Sequence, residues 1–200
     1  MALHDQQIYN PDDPEILKKQ AAAQLPMYEY NRTLPTEGDK RQRLLKEMLG
    51  KVGEGCFLEP PFHANFGGKH VMLGDHIYAN FNLTVVDDTY IYIGSHTMIG
   101  PNVTLASANH PILPELREKG YQYNLSIHIG KNCWLGAGVI VVPGVTIGNN
   151  TVVGAGAVVT KNLPANVVAV GVPAKVVRPI SDHDRKYYHS QMKIDPKLLS

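Results

Sequence analysis

The sequence has little of what marks a secreted, membrane-bound or nucleic-acid-binding protein. Its two cysteines, Cys56 and Cys133, lie far apart, which favours reduced thiols in the cytoplasm. Its formal net charge of +1 gives no long-range field to attract nucleic acid or a membrane surface. No stretch approaches the roughly 20 apolar residues of a membrane span, and the opening MALHDQQIYNPDDPE has acids and no apolar run, unlike a secretory signal. We therefore expect a cytoplasmic protein that binds neither nucleic acid nor membrane.

What the sequence does contain is a six-residue repeat in its second half. An aliphatic residue occupies one position of each repeat: Ile129, Leu135, Val141, Ile147, Val153 and Val159. Three positions later stand residues that enter the left-handed backbone region at least cost: Asn132, Gly138, Gly144, Asn150, Gly156 and Asn162. The next position is small or aliphatic and can point inward: Cys133, Val139, Val145, Thr151, Ala157 and Leu163. A short strand and a turn in every hexapeptide predict an all-β fold, a coil of parallel strands.

The same period continues upstream, with two irregularities. The aliphatic slot holds Leu73, Ala79, Val85, Ile93, Ile99 and Leu105, and the turn slot holds His76, Asn82, Asp88, His96, Asn102 and Ala108. The phase slips by two residues after Val85, and the 24 residues between Leu105 and Ile129 amount to one hexapeptide plus an insertion of 18. Long connections without structure usually carry function. We therefore predict an extruded loop at about 107–126, which contains Asn109, His110 and Pro111.

The remaining segments flank this coil in a chain of 200 residues, long enough for one domain with a substantial core. Residues 1–56 are predicted to be mainly helical, with one helix from Pro14 that ends at Pro26. A second helix is expected after a Thr36–Asp39 capping arrangement, with Gly50 as its end. This segment caps the first coil; it could also contribute to a substrate pocket. The β-helix is expected over 57–177, leaving its regular path after Lys161, and a tail over 178–200.

The chain resembles the galactoside and maltose O-acetyltransferases of the hexapeptide-repeat acyltransferase family. The resemblance rests on YANFNLTVVDD, IGPNVTLASANHP, the run from IGKNCWLGAG to GVPAKVVR, and the N-terminal helical piece ending in MYEYN. It implies a left-handed parallel β-helix and a homotrimer with active sites between subunits. The implied reaction transfers an acetyl group from acetyl-CoA directly to a sugar hydroxyl in a ternary complex.

His110 is the candidate general base. It is the only histidine in the predicted loop, and it stands in the Asn-His-Pro motif that the resemblance shares. An imidazole can take a hydroxyl proton at neutral pH and deliver it to the departing thiolate. The alternative is a structural or solvated histidine, but the loop context favours catalysis.

The other histidines give no metal site. His76 and His96 occupy turn slots, where histidine tolerates positive φ. A zinc site would need about three convergent histidines, and the spacing of His76, His96 and His128 does not provide them. We therefore predict no metal.

The acceptor residues come from the resemblance. It implies that Asn80 and Asp88 contact the acceptor sugar, and that Asn65 matches a position where relatives carry Ser or Asp. Asp88 is alternatively a turn residue, and Asn65 an ordinary loop amide. The Asp and Arg that relatives present from their N-terminal helices fall here on Pro11 and Gln20, which leaves Asp12, beside Asp13, as a candidate.

The acetyl-CoA residues also come from the resemblance, which implies seven contacts: Trp134, Ala137, Ala155, Thr160, Lys161, Lys175 and Arg178. The two alanines would act through backbone groups, with the N–H of Ala137 at the thioester oxygen. They are alternatively small surface residues, and the basic side chains could simply be solvated. Trp134 precedes an inward residue, so it should point outward and cover a ligand or a subunit.

Two other functions remain open. A catalytically idle hexapeptide trimer would need neither acetyl-CoA nor His110. A xenobiotic acetyltransferase would modify an antibiotic hydroxyl, although the two-helix segment ending in Tyr-Asn favours sugars. The loop is expected to have nothing of its own chain to rest on, so that a neighbouring subunit supports it in a closed threefold trimer.

Overall fold

The structure, a computed structural model, describes residues 5–199. Within this range, helices α1 (Pro14–Tyr30) and α2 (Gly38–Met48) precede the first strand. The side chain of Asp13 caps α1 by accepting a hydrogen bond of 2.8 Å from the Glu15 N–H. Buried side chains of both helices join the same apolar cluster as the first coil, so the helices cover the open end of the β-helix.

The predicted end of α1 at Pro26 is wrong, because the helix continues through this proline to Tyr30. The extra turn buries Met27 and Tyr30, and the Tyr30 hydroxyl donates to the Leu58 carbonyl. Burial of these two side chains against the coil outweighs the lost backbone hydrogen bond.

The predicted N-terminal cap of α2 is also wrong. Glu37 rather than Thr36 is the N-cap residue, no side chain caps the helix, and Asp39 lies within its first turn. The helix ends at Met48 with Leu49 as its C-cap, and Gly50 follows directly, which agrees with the predicted end. A Cβ at Gly50 would lie 2.5 Å from the Lys69 carbonyl oxygen, so this glycine also permits close packing against the coil.

Short strands then follow one another around a triangular coil. Before the loop they are β1 (Phe57–Leu58), β2 (Phe62–Ala64), β3 (Val71–Leu73), β4 (Tyr78–Ala79), β5 (Leu83–Val86), β6 (Ile91–Ile93), β7 (Met98–Ile99) and β8 (Thr104–Ala106). The loop contains β9 (Ala108–Asn109), α3 (Pro114–Glu118) and β10 (Tyr123–Asn124). After it come β11 (Ile127–Ile129), β12 (Trp134–Leu135), β13 (Ile140–Val141), β14 (Thr146–Ile147), β15 (Val152–Val153), β16 (Val158–Val159) and β17 (Val167–Val170).

Three parallel sheets form the faces of the coil. The first face is β1-β4-β7-β12-β15-β17, the second is β2-β5-β8-β13-β16, and the third is β3-β6-β11-β14. The chain visits the faces in that order. We call the turns between the first and second faces the first corner, those between the second and third the second corner, and those between the third and first the third corner.

The strand register explains both irregularities of the repeat. Leu73 pairs with Ile93, Ile93 with Ile129, and Ile129 with Ile147. From Ile129 to Ile147 the chain makes one regular coil of 18 residues. The coil from Leu73 to Ile93 is longer by the two-residue slip, and the coil from Ile93 to Ile129 is longer by the inserted loop. The loop leaves the coil at the second corner, between β8 and β11.

Most predicted turn residues have positive φ, among them His76, His96 and Asn150. Asp88, Ala108 and Asn162 do not, so their assignment to left-handed turns is wrong. All three lie at the second corner or in the loop that leaves it, although Gly144 at the same corner has the predicted positive φ, +81°. At the third corner Asn166 takes the left-handed position instead, and its Oδ1 accepts a 2.8 Å hydrogen bond from Asn150 Nδ2.

The coil continues beyond Lys161, contrary to the predicted departure. Strand β17 pairs in parallel with β15 and extends the first face. Only then does the chain reverse, as β18 (Lys175–Pro179) runs antiparallel to β17. The tail forms the hairpin β19 (Tyr187–His189) and β20 (Met192–Lys193), and a 3-10 helix at Pro196–Leu199.

The interior of the coil is apolar and closely stacked. Leu105, Leu135 and Val141 are completely buried in one continuous cluster. Both cysteines are buried with free thiols. In the described part of the chain, every helix is too short or too polar to span a membrane.

Candidate active site

His110 follows β9 directly, on a stem made by the antiparallel pair β9 and β10. Its side chain is exposed, and its Nδ1 lies 2.9 Å from the carbonyl oxygen of Tyr121. A carbonyl only accepts hydrogen bonds, so Nδ1 carries the proton and the lone pair of neutral His110 is on Nε2. The His110 N–H donates to Asn109 Oδ1 at 2.9 Å. The loop therefore presents an oriented imidazole with a basic nitrogen.

The loop rests on its own chain, which corrects the expectation that only another subunit could support it. The N–H and carbonyl of Tyr9 pair with the carbonyl and N–H of Gln122, each at 3.0 Å. The Gln6 N–H also donates to the Asn124 carbonyl at 2.8 Å. We call residues 5–9 the N-terminal strap. Sequence periodicity could not reveal the strap, because these contacts follow no repeat.

Asp88 lies at the second corner, close to the base of the loop. It is 8% exposed, and both carboxylate oxygens accept hydrogen bonds of 2.9 Å, one from Asn65 Nδ2 and one from Gln122 Nε2. Each oxygen has a further lone pair for a ligand hydroxyl. The structure thus brings Asn65 and Asp88 together, as an acceptor pocket requires.

Asn65 itself is held by α1. Gln24 Nε2 donates to the Asn65 carbonyl at 2.8 Å, and a Cβ at Gly67 would lie 2.0 Å from the Ala23 carbonyl oxygen. The QAAAQ stretch at residues 20–24 of α1 therefore packs closely on the turn that carries Asn65.

Asp87 is a residue that the sequence reasoning missed. It is fully buried, and its carboxylate accepts from the N–H groups of Phe66, Gly68 and His70 at 2.7, 3.1 and 3.4 Å. Burial raises the pKa of Asp87 to about 7, and the neighbouring Asp88 charge acts in the same direction. Asp87 therefore fixes the turn between β2 and β3, which begins with Asn65. The adjacent acids in VVDD were the available signal.

Asp12 lies on the chain between the strap and α1. Its N–H donates to Asn10 Oδ1 at 2.9 Å, and a Cβ at Gly120 would stand 3.4 Å from Asp12 Oδ2. Asp12 is therefore next to the loop segment whose Tyr121 carbonyl holds His110. It also lines an open depression of about 430 Å³ with Tyr9 and other residues of this segment. The depression is lined by the N-terminal segment and not by His110.

Asn80, Ala137 and Ala155 occupy the first corner, on the other side of the second face from Asp88. In the described chain the N–H groups of Ala137 and Ala155 donate to no acceptor, whereas their glycine neighbours pair between coils. A Cβ at Gly136 would lie 2.6 Å from the Ala155 nitrogen. Small side chains and free N–H groups suit the close approach of an amide-bearing or thioester-bearing chain.

The other predicted acetyl-CoA residues are divided between the corners. Thr160 and Lys161 follow β16, so they lie at the second corner with the loop rather than beside Ala155. Trp134 points outward and is 52% exposed, as predicted. It continues an apolar ladder on the outer side of the first face: Phe57, Tyr78, Met98, Trp134 and Val152.

Lys175 and Arg178 lie on β18, at the edge of the first face. The Arg178 guanidinium makes two hydrogen bonds with the Asp184 carboxylate, at 2.7 and 2.8 Å. These bonds raise the pKa of Arg178 and hold the pKa of Asp184 below its usual range. A phosphate group at Arg178 would have to share it with Asp184.

Histidines elsewhere have structural contacts. His76 and His96 stack at the third corner with ring centroids 5.0 Å apart, and His128 stacks on Tyr92 at 4.7 Å. Among residues 5–199 no group of three metal-ligating side chains is placed to hold an ion.

Seven of the predicted site residues of one chain thus fall into two groups, which we call half-sites. The second-corner half-site comprises Asn65, Asp88, the loop with His110, and the adjoining Asp12. The first-corner half-site comprises Asn80, Ala137 and Ala155. One hexapeptide of the second face separates these corners, on the order of 15–20 Å at about 3.3 Å per residue.

The comparisons with known proteins cover nearly the whole chain. Residues 4–53 match the family described as a maltose acetyltransferase hexapeptide capping motif, and residues 126–161 match the bacterial transferase hexapeptide family. The galactoside O-acetyltransferase of Lactococcus lactis is 52% identical over 96% of this chain and 93% of its own length. That of Escherichia coli is 48% identical over 86% of this chain and 84% of its own.

Solved structures agree with these matches. A galactoside acetyltransferase in complex with coenzyme A superposes with a TM-score of 0.92 and 44% identity, over 94% of each chain. A maltose O-acetyltransferase from Clostridium difficile superposes with a TM-score of 0.85 and 37% identity, over 88% of this chain and 93% of that one. The chain therefore belongs to the galactoside and maltose O-acetyltransferase family of hexapeptide-repeat proteins, which confirms the predicted fold class and the predicted acetyl-CoA-dependent acetyltransferase.

Proposed function

We propose that the protein transfers the acetyl group of acetyl-CoA to a hydroxyl of a galactoside-like or maltose-like sugar, with His110 as the general base. The observation that carries this proposal is the hydrogen bond between His110 Nδ1 and the Tyr121 carbonyl, which leaves Nε2 as the basic nitrogen on an exposed loop. The names of the relatives and the coenzyme A in a homologous structure support the substrates.

His110 acts twice in the proposed direct transfer. Its Nε2 first takes the proton of the acceptor hydroxyl while that oxygen attacks the thioester carbonyl carbon. As the carbon–sulfur bond breaks, the same Nε2–H returns the proton to the departing thiolate. The sugar gains an acetyl ester, the coenzyme leaves as a thiol, and His110 is again neutral. No covalent acetyl-enzyme is required.

The first corner provides for the other substrate. The free N–H of Ala137 is a donor for the oxyanion that develops on the thioester oxygen, and that of Ala155 for a pantetheine carbonyl. Trp134, on the first face just before this corner, offers an exposed aromatic surface. Thr160, Lys161, Lys175 and Arg178 are proposed contacts for the rest of acetyl-CoA, the basic side chains for its phosphates.

The second corner provides for the acceptor. Asp88 accepts a sugar hydroxyl through its remaining lone pairs, Asn65 offers its amide, and Asp12 approaches from the segment that precedes α1. Asn80, which lies at the first corner, is the remaining proposed acceptor contact. A polyol needs such a mixture of neutral and charged polar groups, which an antibiotic with few hydroxyls would leave unsatisfied.

We further propose a homotrimer in which each active site joins the second-corner half-site of one subunit to the first-corner half-site of the next. The 15–20 Å between these corners supports this arrangement, because proton transfer and thioester attack need contact distances. Thr160 and Lys161 then approach acetyl-CoA from the subunit that supplies His110.

The test is an acetyl-CoA consumption screen against mono- and disaccharides, nucleosides and hydroxylated antibiotics. We expect consumption with a galactoside or a maltose-like sugar, and none with the His110→Ala variant. Turnover confined to an antibiotic would favour the xenobiotic function, and no turnover with any acceptor would favour an idle trimer.

A further inference from the structure

The peptide group between Tyr121 and Gln122 makes a hydrogen bond on each side. Its carbonyl oxygen accepts from His110 Nδ1 at 2.9 Å. Its N–H donates to the carbonyl oxygen of Tyr9 at 3.0 Å. A chain of hydrogen bonds therefore runs from the strap, through one peptide plane, to the imidazole.

The strap is fastened by several further contacts. The Tyr9 N–H donates to the Gln122 carbonyl at 3.0 Å, which completes a two-bond backbone pair. The Tyr9 hydroxyl accepts from Gln122 Nε2 at 2.5 Å and from Asn124 Nδ2 at 3.2 Å. Burial raises the pKa of Tyr9, so the hydroxyl stays neutral in this network. Gln122 Nε2 also reaches Asp88 Oδ1 at 2.9 Å.

We propose that the N-terminal strap, through Tyr9, is a positioning element for His110. The Tyr9 carbonyl prevents the Tyr121–Gln122 peptide from rotating, and polarises it so that its oxygen is a better acceptor. This oxygen then selects the Nδ1-protonated tautomer and aims Nε2 outward. The inference rests on the proposed role of His110 as the base and extends it to residues that touch neither substrate.

Without the strap, the peptide loses the partner that fixes its plane. The carbonyl of Tyr121 is then free to turn toward water, and His110 samples both tautomers and more than one ring orientation. Only the Nδ1-protonated tautomer has a basic Nε2, so the rate of the chemical step falls. Acetyl-CoA binding is unaffected, because none of the residues proposed to contact it lies in the strap or makes a backbone pair with it.

Three full-length variants test this inference. Gln122→Pro removes the N–H that donates to Tyr9, and Tyr9→Ala removes the ring and hydroxyl that fasten the strap. Ile8→Ala is the matched control, because the neighbouring Ile8 side chain is 57% exposed and truncating it leaves the Tyr9 pairing intact. Each variant is studied by steady-state kinetics and by ¹⁵N NMR of the histidine rings, with the His110 signals assigned by their loss in His110→Asn.

We expect His110 of the wild type and of Ile8→Ala to be a single Nδ1-protonated tautomer. Gln122→Pro and Tyr9→Ala should show mixed tautomers and a kcat reduced about 10-fold or more, with the acetyl-CoA KM within about twofold. A folded Gln122→Pro protein that keeps the single tautomer and at least half of wild-type kcat would overturn the inference; if that variant does not fold, the same outcome for Tyr9→Ala does so. The NMR result needs no turnover, so a shifted tautomer without any sugar acetylation would count against the proposed function and not against the strap.

Discussion

His110 Nδ1 is 2.9 Å from the carbonyl oxygen of Tyr121, eleven residues further along the same loop. A backbone carbonyl cannot release a proton or take one up, so it orients the imidazole without competing for the proton being transferred. Many catalytic histidines are oriented by a carboxylate instead. In this chain the Asp88 carboxylate at the base of the loop is bonded to Asn65 and Gln122 instead, and we propose that it binds the acceptor.

The His110→Ala variant tests the base directly. We expect kcat to fall by about 10²–10⁴, because the acceptor hydroxyl loses the group that takes its proton. The acetyl-CoA KM should stay within a few fold, since the proposed cofactor contacts lie elsewhere. Steady-state kinetics with a saturating sugar measures both constants. A variant that keeps more than half of wild-type kcat would show that another group is the base.

The ion pair between Arg178 and Asp184 predicts an unusual gain of function. Asp184→Asn removes the charged partner that occupies the guanidinium, so Arg178 becomes more available to a phosphate group. We expect the acetyl-CoA KM to fall by about two- to fivefold with kcat unchanged, the modest effect of an exposed pair. Arg178→Ala is the matched variant and should raise the same KM. An Asp184→Asn protein with a higher acetyl-CoA KM would mean that Asp184 orients Arg178 rather than competes for it.

Gly156 allows the left-handed turns to be tested at one position. Its φ is +70°, and a Cβ there would meet nothing within 4 Å, so neighbouring atoms do not contribute to the effect. Gly156→Val should lower the free energy of unfolding by about 1–3 kcal/mol, because a β-branched residue is strained at positive φ. Gly156→Asn should cost less, since Asn tolerates this region. Equal midpoints in denaturant for the two variants would contradict the turn assignment.

Asp87 should make stability depend on pH. Burial raises the pKa of this carboxyl from 3.8 to about 7, so between those values the folded chain holds a proton that the unfolded chain has released. The stability contribution is therefore full below about pH 4 and is lost as the pH rises toward 7. In Asp87→Asn the amide must turn its NH₂ toward at least one backbone N–H donor, and we expect a loss of about 1–3 kcal/mol at low pH.

The measurement for Asp87 is denaturant unfolding of both proteins at several pH values and one protein concentration. The difference in unfolding free energy between wild type and Asp87→Asn should shrink as the pH rises from about 4 to about 7. A difference that does not change over this range would contradict the buried, proton-holding carboxyl.

The β-helix could be predicted because the hexapeptide repeat places an inward residue and a turn residue at fixed positions in every side of the coil. Leu73, Ile93, Ile129 and Ile147 stack in the register that the repeat, its slip and its insertion predict. Where the chain leaves the repeat, this reasoning fails. Asn162 occupies the turn slot by extrapolation, yet it lacks positive φ and uses its Oδ1 to accept from the Thr146 N–H.

The contacts that complete the site were not predictable from periodicity. Tyr9 and Gln122 are 113 residues apart and pair through backbone groups, which leave no mark on side-chain pattern. Asp87 and Asp88 are adjacent and both buried, and only the turn after β5 determines that Asp87 accepts from backbone N–H groups while Asp88 accepts from the side chains of Asn65 and Gln122. The sequence placed His110 on a loop, but its orientation depends on a carbonyl that any residue at position 121 could supply.

Subunit complementation tests the shared active site most directly. We would mix equal amounts of His110→Ala and Ala155→Trp chains, the latter filling the first-corner half-site with a large side chain, then unfold, refold and assay them together. If each site takes His110 from one subunit and Ala155 from the next, about a quarter of the sites in randomly mixed trimers have both intact halves. The account predicts recovery of about a quarter of wild-type activity from two inactive parents, and a mixture no more active than its parents would contradict it.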